Sequence, residues 1–172
     1  MTDKQFISLQ IGIITISDTR TELTDKSGKY LLESLIATGH NLVGKIIVPD
    51  NIYQIRAVLS NWIADNSVQV IITTGGTGVT GKDGTPEAVK PLLDKVIEGF
   101  GEIFRYLSYQ EIKANAIQSR ALAGVANNTY IFCLPGSTGG CRTAWENLIK
   151  PQLDSRDKLC NLAQLLPRLA EN

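Results

Sequence analysis

The stretch that most constrains the fold is residues 70–87, VIITTGGTGVTGKDGTPE. It opens as a short β-branched apolar run, which reads as a buried strand. It then breaks into glycine and threonine. It restarts at Thr85-Pro86-Glu87, where Thr85 is expected to cap a helix, Pro86 fits its first turn and Glu87 favours its positive end. A strand, a glycine-rich turn and a capped helix together offer backbone N–H groups and a helix dipole to an anion. Glycine lets the backbone come close to a phosphate because it has no Cβ. Gly75, Gly76, Thr77 and Gly78 are therefore the candidate phosphate-binding residues, with Lys82 as a nearby charge.

Two better-known motifs nearly match here. Residues 76–81 spell G-x-G-x-x-G, the dinucleotide fingerprint. That fingerprint opens a helix directly and usually follows the first strand of a fold, whereas here residues 82–85 intervene and the strand is not the first. Residues 76–82 also spell G-x-x-x-x-G-K, but Asp83 follows where a Walker A loop needs Ser or Thr on Mg²⁺. Gly84 and Pro86 oppose the helix that such a loop requires.

The remaining residues narrow the chemistry. With 172 residues the chain can bury a sizeable single core, and 43% hydrophobic against 20% charged content is ordinary for a globular protein. Zero formal net charge gives no electrostatic footprint for nucleic acid. No apolar run approaches the roughly 18 residues of a membrane span. Residues 1–6 lack the apolar core of a signal peptide. Cys133, Cys141 and Cys160 are odd in number without C-x-x-C spacing, so neither a disulfide framework nor a zinc site is expected, which fits the cytoplasm. His40 is the only histidine; it excludes a multi-histidine metal site within one chain and reads as a structural turn residue. Cys141 reads as a buried structural thiol.

Taken in order, strands are expected at 9–17, 42–48, 68–74 and 129–134, and helices at 27–38, 52–64, from Thr85, and at 141–153. Gly39 is expected to stop the first helix and Asn51 to cap the second. The apolar spacing of Phe100, Ile103, Phe104 and Leu107 marks a helix face for the core or a subunit contact. Residues 119–124 (SRALAG) read as a small-residue segment able to make a helix turn. The tail, 154–172, is too apolar to be free and too short to fold alone. Alternation of strands and helices implies an α/β fold: a mostly parallel sheet in three layers with helices on both faces. Ligands of such sheets bind outside the carboxyl ends of the strands. A second glycine loop, Pro135 to Gly140, also follows a strand. Two such loops at one edge could hold two anionic groups, or two parts of one ligand. A polyphosphate also needs charge neutralisation, which Lys82 and a Mg²⁺ held by Asp83 and Asp50 could supply.

Several of these segments together resemble the MoaB/MogA family of molybdenum cofactor biosynthesis. They are 73–78, Lys82-Asp83, 85–88, Val48-Pro49-Asp50, 119–124 and Leu134-Pro135-Gly136-Ser137. The second loop and residues 141–147 look most like its MoaB branch. The resemblance runs over residues 9–153. It implies one molybdopterin-binding domain spanning 1–172, with 154–172 packing on the domain or on a neighbouring subunit. It also implies a reaction: Mg-ATP adenylylates molybdopterin, whose terminal phosphate attacks the α-phosphorus, and pyrophosphate leaves. On that reading Asp50 and Asp83 are the catalytic and metal-binding carboxylates. Gly75, Gly76, Thr77, Gly78 and Lys82 bind nucleotide phosphates, and Ser119, Pro135, Gly136 and Ser137 contact the pterin. Many relatives of the MogA type carry Pro-Gly-Asn-Pro at the second loop, where this chain has Pro135-Gly136-Ser137-Thr138. The alternative is a protein that binds molybdopterin without turnover. The resemblance further implies a homo-oligomer, trimer or hexamer.

Overall fold

The computed structural model describes residues 5–157 and 159–171. Residues 1–4, part of the stretch read as lacking a signal core, and Lys158 and Asn172 of the apolar tail lie outside the described residues. The strands are β1 (Gln10–Ile16), β2 (Asn41–Val48), β3 (Val70–Thr74), β4 (Lys95–Val96), β5 (Leu122–Ala126) and β6 (Thr129–Leu134). They form one sheet in the order β2-β1-β3-β6-β5-β4. β1, β2, β3 and β6 run parallel, and β5 and β4 are added antiparallel at one edge. The helices are α1 (Lys26–Thr38), α2 (Ile52–Ala64), α3 (Thr85–Val89), α4 (Glu98–Ile112), α5 (Thr138–Ala144), α6 (Lys150–Leu153) and α7 (Leu162–Leu165). A π-helical turn, Trp145–Ile149, joins α5 to α6.

The strand period of two divides the core cleanly. Ile11 and Ile13 of β1, Val70 and Ile72 of β3, and Tyr130 and Phe132 of β6 face α1, α4 and the α5–α6 helix. Ile14 and Ile16, Ile71, and Ile131 and Cys133 face α2 and α3 instead. A sheet apolar on both sides must be covered on both sides, and the three-layer arrangement follows. Paired Gly12 and Gly44 leave room for the Trp62 ring of α2 to lie against the strands.

The local signals act as read at several points. Gly39 terminates α1 in the left-handed conformation at φ +97°. The Asn51 side chain accepts from the N–H groups of Tyr53 and Gln54 at the start of α2. His40 is buried, its Nδ1 accepting from the Leu9 N–H at 3.2 Å, and burial lowers its pKa. Phe100 and Phe104 enter the core, but Ile103 is exposed. The tail packs on the domain through Leu162, Ala163, Leu166 and Leu169. Among the described residues no helix is long and apolar enough to cross a membrane.

Three expectations are corrected. Residues 122–124 of the small-residue segment belong to β5, not to a helix turn. Asn127 and Asn128 take positive φ (44° and 66°), a conformation asparagine tolerates, and close a two-residue hairpin onto β6. The helix expected from Cys141 begins at Thr138, because the Ser137 hydroxyl caps it by accepting from the Gly140 N–H at 3.1 Å. Thr85 does not cap α3 but is its first residue, and its hydroxyl turns back to the Gly75 carbonyl.

Candidate functional site

The chain passes from β1 outward to β2 and returns to place β3 on the other side of β1, so the connections diverge between β1 and β3. Such a switch point opens a crevice at the carboxyl ends of the strands. A cleft of about 570 Å³ lies there. Its walls come from the ends of β1, β3 and β6, the start of α1, and Gln118-Ser119. That is a size suited to a small-molecule ligand.

The first glycine loop leaves β3 with Gly75 at φ +106° and Gly76 at φ +66°, in the left-handed region that favours glycine. A Cβ on Gly75 would lie 2.2 Å from the Ile16 carbonyl oxygen, so this position also demands a bare backbone. The two loops touch. The Gly75 N–H donates to the Leu134 carbonyl at 3.0 Å, and the Thr74 hydroxyl donates to the Pro135 carbonyl at 2.8 Å. The second loop is tied to α1, where the Ser27 hydroxyl donates to the Gly136 carbonyl at 2.8 Å.

Arg120 fastens the outer half of the first loop. Its Nε donates to the Gly78 carbonyl and one terminal nitrogen donates to the Asp83 carbonyl, both at 2.7 Å. Its other terminal nitrogen pairs with Glu87, and its backbone N–H donates to the Thr77 carbonyl at 3.0 Å. The planar guanidinium fork suits this divergent set of acceptors. Glu87, read from sequence as a helix-dipole residue, is thus also the counter-ion of Arg120.

The site residues read from sequence are only partly assembled. Gly75, Gly76, Thr77, Gly78, Asp83, Ser119, Pro135, Gly136 and Ser137 all line the cleft. Asp50 and Lys82 do not. The Lys82 ammonium is paired with Asp18 across the edge, and Asp18 also accepts from the Asp50 N–H at 3.0 Å. One Asp83 oxygen accepts from the Thr80 hydroxyl at 2.6 Å and the Thr80 N–H at 2.9 Å. The hydroxyl bond leads the effects that hold the Asp83 carboxyl below its ordinary range. Asp50 shifts upward, first by burial and then by the charges of Asp18 and Asp83. The Ser119 hydroxyl is buried and has no hydrogen-bond partner among the described residues. Cys141 is buried beside Thr74, and burial raises its thiol to about 11, an inert thiol and not a nucleophile.

Sequence reasoning missed the wall opposite the glycine loop. Arg20 and Lys26 line the cleft and make no ion pair among the described residues. Asp25, read as part of a polar loop, is buried as the cap of α1. Its carboxylate accepts from the Gly28 N–H at 2.9 Å and the Thr15 hydroxyl at 2.8 Å, and pairs with Lys45 at 2.8 Å. The signal available in sequence was Asp25 three residues before Gly28 at the head of an apolar helical pattern.

These features define a three-layer α/β ligand-binding domain with an anion-suited cleft at its switch point. A family described as "Probable molybdopterin binding domain" matches residues 12–155. The chain belongs to that family, the MoaB/MogA family of molybdenum cofactor biosynthesis. It is 55% identical over 157 residues to molybdenum cofactor biosynthesis protein B of Escherichia coli, spanning 91% of this chain and 92% of that protein. A crystal structure of a molybdenum cofactor biosynthesis protein B superposes with a TM-score of 0.86 at 41% identity, over 96% of this chain and 98% of the other. The molybdopterin biosynthesis Mog protein of Mycobacterium ulcerans gives 0.80 at 29% identity, over 95% and 100%.

The Asp25–Lys45 pair generates a prediction. Burial by itself would raise the Asp25 carboxyl, but Lys45, the Gly28 N–H and Thr15 outweigh it and hold the group below the ordinary 3.8. A lowered folded value stabilises fully above the unfolded value and loses that contribution as pH falls through the folded value. Asp25→Asn keeps the cap but leaves the buried Lys45 with only the exposed Glu22 as counter-ion. It is expected to cost about 1–2 kcal/mol at pH 7, because Glu22 still partly compensates Lys45, and to flatten the loss of stability below about pH 4. Urea denaturation from pH 7 to pH 3 measures both; an unchanged acid limb would contradict the assignment.

Proposed function

We propose that the chain acts in molybdenum cofactor biosynthesis, in the cytoplasm, by binding molybdopterin in this cleft and adenylylating it with Mg-ATP. The observation that carries the reading is the meeting of two glycine loops in one cleft with the unpartnered Ser119 hydroxyl. A buried hydroxyl without a partner is costly, and a ligand with polar ring edges would satisfy it. The first loop would bind phosphate through backbone N–H groups. Ser119, Pro135, Gly136 and Ser137 would face the pterin, although the Ser137 hydroxyl is already engaged as a helix cap. Arg20 and Lys26 offer free positive charge at the opposite wall.

In the reaction an oxygen of the terminal molybdopterin phosphate forms a bond to the α-phosphorus of ATP. The bond from that phosphorus to the bridging oxygen breaks, and pyrophosphate carries the electron pair away. Such transfer needs positioning and charge stabilisation more than a protein nucleophile. A Mg²⁺ would be held by Asp50 and Asp83, which offer only oxygen donors, together with the substrate's own phosphates. Bound there, Mg²⁺ would supply neutralisation of phosphate charge.

The second reading, a protein that binds molybdopterin without turnover, has its own support. Lys82 is tied to Asp18, one oxygen of Asp83 is tied to Thr80, and neither Asp50 nor Lys82 lines the cleft. Pyrophosphate release from Mg-ATP, with and without molybdopterin, separates the two. The adenylyltransferase reading expects molybdopterin-dependent release that falls by about 10²–10³-fold in Asp83→Ala, the scale of one lost charge-organising group. No release with molybdopterin still bound would establish the second reading.

We propose also that the protein is a homo-oligomer, a trimer or hexamer. Ile103, Tyr106, Tyr109 and Ile112 recur along α4 and are all more than half exposed, an apolar stripe suited to burial between copies. Light scattering at micromolar concentration should return three or six times the 18.8 kDa chain mass; a monomer would reject this.

A further inference from the structure

The first glycine loop is held from behind by one residue. Thr85 is wholly buried and lines no part of the cleft. Its hydroxyl donates to the Gly75 carbonyl at 2.8 Å, and its backbone N–H donates to the Gly76 carbonyl at 3.0 Å. Both peptides are trans, so each C=O and the N–H of the same peptide point in opposite directions. The N–H groups of those two peptides belong to Gly76 and Thr77. Both therefore point away from Thr85, toward the cleft that Gly76 and Thr77 line. Neither has a hydrogen-bond partner among the described residues. The flanking Gly75 N–H is engaged by the Leu134 carbonyl, and Gly78 lies against the Asp83 carboxylate. Two adjacent free N–H groups after residues of positive φ make a concave seat for one oxyanion.

We infer that Thr85 is a positioning residue that aims the Gly76 and Thr77 amides at one phosphoryl group of the ligand. This rests on the reading of the cleft as a phosphate site, and it names the part of the loop that does the holding. Thr85 itself touches no ligand. Its hydroxyl matters because the Gly75 carbonyl it satisfies is buried, and an unsatisfied carbonyl would draw that peptide out of its present orientation. A Cβ on Gly76 would meet the Thr85 hydroxyl oxygen at 2.3 Å, so glycine is needed there for this contact to exist.

The test is an amide NMR titration of the wild-type protein with inorganic pyrophosphate and, separately, inorganic phosphate, read beside calorimetric affinities of Thr85→Ser and Thr85→Val. The expected result is a saturable shift of the Gly76 and Thr77 amides in wild type. Thr85→Ser should bind within about threefold of wild type, and Thr85→Val should bind about tenfold or more weakly, the scale of one lost hydrogen bond, with its melting transition still cooperative. Tighter binding of pyrophosphate assigns the seat to a polyphosphate, and tighter binding of phosphate assigns it to a phosphate monoester. Binding that shifts other amides but not these two, no binding of either anion, or wild-type affinity in Thr85→Val would each overturn the inference. If Thr85→Val does not fold, Thr85→Ala takes its place in the same titration, with the same expected weakening and the same overturning result. Anion binding at Gly76 and Thr77 without adenylyl transfer would leave this inference intact and remove only the catalytic reading.

Discussion

Two carbonyls set the terms for the site. Gly75 and Gly76 turn the chain off β3 at positive φ, and their carbonyls are both met by the buried Thr85. One threonine answers both, through its hydroxyl and its backbone N–H. Nine residues, 76–84, lie between Gly75 and Thr85, and this closure decides where the loop runs. The outer part is then fixed by Arg120, which reaches the carbonyls of Gly78 and Asp83 from the start of β5. With its carbonyls spoken for on one side, the loop keeps N–H groups for the other. The antiparallel edge of the sheet, which contributes nothing to the parallel ladder, thereby has a second use: the chain entering it delivers Ser119 to the cleft and Arg120 to the outer part of the loop.

The charges are arranged more sparingly than the sequence suggests. The chain sums to zero formal charge, and several cations near the edge are already matched. Lys82 meets Asp18, Lys45 meets Asp25 and Glu22, and Arg120 meets Glu87. On the proposed reading, anion binding in this cleft would lean on backbone dipoles and on Arg20 and Lys26. Burial and neighbouring charge raise Asp50 while its neighbours stay low, a pattern that often marks functional carboxylates.

Much of this was legible in the sequence, for reasons that can be named. The apolar runs of β1, β3 and β6 are continuous because both faces of the sheet are covered, and continuous runs are easy to see. Gly39 and Asn51 act through their own backbone and side chain, so local sequence suffices for them. The first glycine loop could be placed because Gly75 and Gly76 take φ values and close contacts that favour glycine. Residues whose partners lie far along the chain were not legible. Thr85 looked like a helix cap until the Gly75 carbonyl was beside it. Asp25 looked like loop because Lys45 stands 20 residues away on β2. β5 was missed because Ala, Gly and Leu carry little strand signal; the Asn127-Asn128 turn between two apolar runs was the clue that outweighed composition.

Hydrogen–deuterium exchange with and without molybdopterin tests the central claim most directly, because it reports where the ligand sits whether or not catalysis follows. The site described here predicts slowed exchange in peptides covering residues 75–78 and 135–140, with lesser change in 15–20. Protection confined to α4 or the tail, with both glycine loops unchanged, would contradict it.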